Sequence, residues 1–224
     1  MKKFNQSLLV LGMLVISSSN ILAAPVVNLT NVSEAPQNVM AVTIDLSNIE
    51  HGKTVILPDG AVLTPISQEQ YVQELAREKS ITLEEAYKLD QSMEQRAGNT
   101  YRYHYSKTFK YSKNTNFKSD LEATIKCWTD GRYTQINEVL SVSSRASEGL
   151  YDYDWIETAA FADSNQGYPC GLVTLCAKGY FDVRVSNSVG VDFDIPGFSM
   201  SGSSSSNLIY RSSTMIMEGT YKTY

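Results

Sequence analysis

The chain has 224 residues, of which 42% are hydrophobic, and a formal net charge of −5 at pH 7. That length suits one ordinary domain with an appendage, and the mildly acidic balance argues against nucleic acid as a partner. No apolar run reaches the ~20 residues of a membrane span, so no transmembrane helix is expected.

The first 23 residues read as an export signal. Lys2 and Lys3 form a positive start, Leu8 to Ile16 an apolar core, and Ser17 to Ala24 a small-residue tail with a cut after Ala23. The mature chain would carry 17 basic against 24 acidic residues, net −7. Its expected location is extracellular, secreted from a bacterium. Residues 24–50 have the composition of a linker, with room for a single strand at Val39 to Leu46.

Residues 51–99 predict a β-hairpin followed by two short helices. Thr54 to Thr64 turns at Pro58-Asp59-Gly60, where proline presets the turn and glycine supplies the positive φ. Ser67 with Gln70 and Thr82 with Glu85 have the spacing of capping boxes. Tyr71, Val72, Leu75 and Ala76 form the stripe of the first helix; Leu83, Ala86, Tyr87 and Met93 form that of the second. Gly98-Asn99 should end the pair, an αα-hairpin.

From residue 100 to 224 the texture is β. Tyr101, Tyr103 and Tyr105 alternate with Arg102, His104 and Ser106. Leu121 to Trp128 and Tyr133 to Val142 flank the turn signal Asp130-Gly131, and Ser143 to Gly149 reads as a loop. Trp155 to Ala162 predicts another strand. Gly171 to Ile195 is the most regular stretch, with Phe181, Val183 and Val185 facing one way and Tyr180, Asp182, Arg184 and Ser186 the other. A Gly-Ser tract, Gly197 to Asn207, separates it from two last strands at Leu208–Arg211 and Thr214–Tyr221. About eight short strands imply a mainly β fold, an antiparallel β-sandwich with jelly-roll or Ig-like layers, preceded by the hairpin and helices. Leu172 to Phe181 resembles the first cysteine strand of an immunoglobulin domain, but no cysteine follows Cys176 to match that family's second one.

The cysteines are Cys127, Cys170 and Cys176. An extended run from Cys170 to Cys176 would hold their Cα atoms about 20 Å apart, beyond the ~7 Å that a disulfide tolerates. The expectation is therefore one disulfide from Cys127 to Cys170 or Cys176, with three reduced thiols as the alternative.

The densest binding-like motif is Tyr151-Asp152-Tyr153-Asp154-Trp155. Its three rings would share one strand face and could stack on sugars, while Asp152 and Asp154 accept hydroxyl protons; alternatively the rings simply pack inward. Arg102, Lys107, Lys110, Lys113 and Lys118, interleaved with aromatics, could hold a polyanion or form a solvated face. His51 and His104 stand apart without a ligand partner at metal spacing, and no motif asks for a cofactor or metal. The reading leans away from an enzyme. It favours a secreted bacterial, non-catalytic binding module for carbohydrate or a surface polymer, of unspecified oligomeric state. The alternatives are a pore-forming toxin with an amphipathic hairpin at 187–217 and an extracellular hydrolase.

Overall fold

The computed structural model describes residues 43–47, 49–92, 97–148, 152–186, 195–204 and 206–223. The expected export signal at 1–23 and most of the expected linker at 24–50 lie outside the described residues. In chain order the elements are β1 (Thr43–Asp45), β2 (Val55–Ile56), β3 (Val62–Pro65), α1 (Gln68–Lys79), α2 (Leu83–Ser92), β4 (Asn99–Lys110), β5 (Lys118–Thr129), β6 (Thr134–Ala146), β7 (Asp154–Asp163), β8 (Leu172–Ser186), β9 (Phe198–Ser203), β10 (Asn207–Ser212) and β11 (Met215–Lys222).

The fold is mainly β, in two sheets. One has the order β2-β3-β4-β5-β6, each strand antiparallel to its neighbour in sequence. Because β3 pairs with β4, a single sheet runs across the expected boundary at residue 99. The other sheet is built on β8, whose 15 residues carry β7 along one edge and β11 followed by β10 along the other. β9 then pairs with β10, and β1 lies parallel to β11.

Two-residue alternation sends one face of each sheet inward. Val173, Leu175, Ala177, Phe181 and Val183 of β8 are buried in one cluster with Tyr103, Tyr105, Ala123 and Ile125 of the five-stranded sheet. The sheets thus share a single core. Trp155 reaches it over Gly179, and this close approach requires glycine. A Cβ there would press into the indole and lie 2.5 Å from the carbonyl oxygen of Ile156.

The two helices lie on the outer side of the five-stranded sheet. Ser67 caps α1 reciprocally: the Gln70 N–H donates to its Oγ at 3.2 Å, and its own N–H donates to Gln70 Oε1 at 2.9 Å. Thr82 and Glu85 repeat the arrangement at α2. Tyr71, Val72, Leu75, Ala76 and Ala86 form a second apolar cluster against Leu140 of β6. Beside it, Thr124 and Ser141 donate to Glu74 at 2.7 and 2.5 Å, and the Tyr71 hydroxyl donates to Glu138 at 2.7 Å.

The expected loop at Ser143 to Gly149 begins as strand, and the Gly-Ser tract also contains one. β6 continues through Ser143 and Ser144, whose register across β5 is set by two irregularities near Thr124–Cys127, and Ser144 donates from both N–H and Oγ to Glu157. The Gly-Ser tract contains β9 despite its low β propensity. Phe198 anchors it, with its ring 4.5 Å from that of Phe117 and 5.7 Å from that of Tyr111.

Gly179→Ala should destabilise the protein by about 1–3 kcal/mol in urea unfolding, the usual cost of overpacking. Gly202→Ala, where an added Cβ meets nothing within 4 Å, should change little. Equal midpoints for the two variants would contradict this packing.

Candidate functional site

The aromatic motif faces inward. Tyr151 lies outside the described residues, and Asp152 is exposed. The Tyr153 hydroxyl accepts the Lys118 N–H at 3.1 Å and is held against the carbonyl oxygens of Ser147 and Lys118 at 2.8 and 3.0 Å. Its ring packs on Phe117 and Phe181, and burial raises the phenol pKa. Trp155 is only 9% exposed, and its Nε1–H donates to Ser144 Oγ at 2.9 Å. Neither ring offers a free face to a sugar. Asp154 points the other way and pairs with Arg184 at 2.8 Å, both partly exposed.

The other candidates are also engaged locally. His51 stacks on Tyr101 with centroids 4.6 Å apart, and its Nδ1 lies 3.0 Å from the Tyr103 hydroxyl. Burial lowers its pKa, which favours the neutral imidazole. His104 sits 3.9 Å from Glu122 on the opposite side of β4. The basic stretch does not form one face: Arg102 turns to Asp90 at 2.6 Å under the helices, while Lys107 turns to Asp59 at 2.7 Å.

All three cysteines are buried and free, so the expected disulfide is not formed. Cys127 stands opposite Ile136, and Ile136 in turn exchanges backbone hydrogen bonds with Cys170 at 2.8 and 2.9 Å. Two strand spacings of ~4.8 Å therefore separate Cys127 from Cys170, beyond disulfide reach. Cys176 follows the outward register of β8, opposite Phe161 and Glu218, whereas Cys127 belongs to the core. Burial, helped by the neighbouring Cys170, pushes the Cys127 thiol up to about 12.

The strongest electrostatic feature escaped the sequence reading. Asp90 and Lys126 are fully buried, with Lys126 Nζ donating to Asp90 Oδ1 at 2.5 Å and to its carbonyl oxygen at 3.1 Å. Arg102 and Gln68 donate to Oδ2 at 2.6 and 2.8 Å. The clue was available: Asp90 falls four residues after Ala86 on the apolar stripe of α2, and Lys126 interrupts an apolar strand.

The five-stranded sheet is roofed by this network, but no element among the described residues covers the outer face of the six-stranded sheet. There Ile156 is 37%, Phe161 45% and Ile216 46% exposed. Arg211 donates from Nε and Nη2 to Asp182 at 2.8 and 2.7 Å, with its guanidinium carbon 4.1 Å from the Tyr180 ring centroid. Residues 187–194 of the amphipathic stretch 187–217 lie outside the described residues; the part that follows supplies β9, β10 and the start of β11 to this sheet. No protein-family model, curated protein or solved structure matches the chain.

Burial works to raise the Asp90 pKa, but hydrogen bonds from Lys126 and Gln68 and the charges of Lys126 and Arg102 outweigh it and hold the carboxyl below its usual 3.8. A carboxyl depressed in the folded state stabilises above its unfolded value, and that share is lost as pH falls through the folded value. Urea midpoints of the wild type should therefore drop below about pH 3.8. Asp90→Asn should remove this share of the acid dependence and cost about 3–5 kcal/mol at neutral pH by stranding Lys126 and Arg102. Identical pH profiles for the two proteins would contradict the role given to Asp90.

Mass mapping after alkylation should find Cys127, Cys170 and Cys176 all free, with fast labelling only in denaturant because each thiol is buried. Any disulfide-linked peptide would contradict the register described.

Proposed function

We propose that the chain is an exported, non-catalytic interaction protein, a β-sandwich roofed by helices on one side, that engages its partner through the open face of the six-stranded sheet. The carrying observation is the inequality of the two outer faces. One hides Thr124 and Lys126 under α1 and α2, while the other leaves Ile156, Phe161 and Ile216 in water. Exposed apolar groups set among ion pairs on a rigid sheet are the chemistry of an interaction surface.

A protein surface suits this face better than a carbohydrate. Sugar stacking needs free aromatic faces. Here Tyr180 already carries Arg211 over its ring, and two of the three exposed apolar groups are aliphatic. The export reading rests on Lys2, Lys3 and the apolar run Leu8 to Ile16.

Hydroxyl-radical footprinting tests the assignment without naming the partner in advance. Phe161, Ile156 and Ile216 should be modified less in the protein's native secreted medium than in isolated protein at nanomolar concentration. Exposed Leu83, on the far helical side, should react equally in both. Equal modification of the sheet residues in the two settings would overturn the reading.

A further inference from the structure

The open face carries a pattern of charge that specifies its partner. Lys178 stands opposite Ile216, and Glu218 stands opposite Cys176, so the lysine and the glutamate are diagonal neighbours on adjacent strands. Such neighbours have Cα atoms about 7–8 Å apart, and among the described residues neither makes a salt bridge within the chain. The other charges in the middle of the face are already neutralised, Arg211 by Asp182 and Arg184 by Asp154. What remains in the middle of the face, beside Phe161 and Ile216, is Lys178 and Glu218; the further carboxylate, Asp163, stands at the end of β7 opposite Thr174, where its Oδ1 accepts the Asn165 N–H. A surface with both signs side by side gains little from a polyanion or a polycation. It is complementary to itself.

We propose that this face joins two copies of the chain, face to face about a two-fold axis, with Lys178 of each copy against Glu218 of the other. The proposal rests on the reading of the open face as the working surface, and it names the occupant. A two-fold axis lying in the interface makes every contact occur twice, so one Lys-Glu juxtaposition becomes two ion pairs flanking a shared apolar centre. The area is close to what is needed. At ~3.3 Å along and ~4.8 Å across per residue, the six strands span roughly 750 Å², against the ~800 Å² that each partner contributes to a stable complex. Twisted sheets stack face to face about 10 Å apart, with strand directions within about 30° of each other, so two such faces can pack without distortion of either.

Sedimentation velocity of the mature protein at about 1 to 100 µM provides the test. Wild type should dimerise. Lys178→Glu places glutamate against Glu218 in both contacts, and Glu218→Lys places lysine against Lys178, so each variant alone should weaken the dimer at least about tenfold. Mixed in equal amounts, the two variants should form a heterodimer in which both contacts are attractive again. A misfolded variant could not regain a dimer on mixing, so the mixture separates lost folding from lost pairing. Ile216→Asp should abolish the dimer in any combination.

Three results would overturn the proposal: a wild type that stays monomeric at the highest concentration, a dimer indifferent to both charge reversals, or a mixture that fails to reassociate. Footprinting then separates the two levels of inference. A monomeric wild type whose Phe161 and Ile216 are still protected in native medium has a different partner on the same face. If protection is absent as well, the face itself is wrongly assigned.

Discussion

The Asp90 carboxylate, closed off from water between Lys126 and Arg102, is the constraint on which the layer order depends. Two cations on the outer side of a sheet cannot be covered by apolar helices unless a counter-charge arrives with them, because an unpaired buried charge costs several kcal/mol. The α2 helix brings that charge, and Gln68 at the start of α1 completes its hydrogen bonding. Replacing the whole cluster by well-packed apolar groups could leave stability unchanged. The network therefore contributes specificity above all: it fixes where the helices sit. Once they sit there, β5 is buried on both faces and its inward and outward residues look alike in exposure, whereas β8 keeps a clean alternation.

Much of this was legible in the sequence, and the failures share one cause. Both capping boxes, the Pro58-Asp59-Gly60 turn and the alternation of β8 follow from spacing within a few residues, where local physics decides. The Gly60 N–H donates to the Leu57 carbonyl at 2.9 Å, as a tight three-residue loop requires. Errors arose wherever the answer lay in a neighbouring strand. Alternation puts Tyr153 and Trp155 on one face, but which face is the core depends on Gly179, 24 positions later than Trp155. Distance along the chain leaves Cys127 as a disulfide partner, while the obstacle is Ile136 standing between it and Cys170. Local pattern alone does not distinguish Asp90 from an ordinary helix charge, because its partners Arg102 and Lys126 lie on β4 and β5.

The core has a second polar seam, which runs through the molecule rather than under its roof. Lys107 and the Tyr221 hydroxyl both donate to Asp59 Oδ2, at 2.7 and 2.9 Å, leaving Tyr105 to donate to Tyr221 at 2.6 Å. Burial drives both phenols well above their ordinary range, so they remain neutral donors. This chain fastens the turn between β2 and β3 to the last strand, across the space between the sheets. It gives the two layers a fixed lateral offset that apolar packing alone would leave adjustable.

The parallel pairing of β1 with β11 has a consequence for the order of events in time. Thr43 meets Thr220, 177 positions later. At synthesis rates of about 5–20 residues per second, the first strand waits roughly 9–35 seconds for its neighbour to exist. Contacts so distant along the chain also form late, because the entropy of closing the loop comes before any reward. The six-stranded sheet therefore cannot close before β11 has been made, however early β1 emerges.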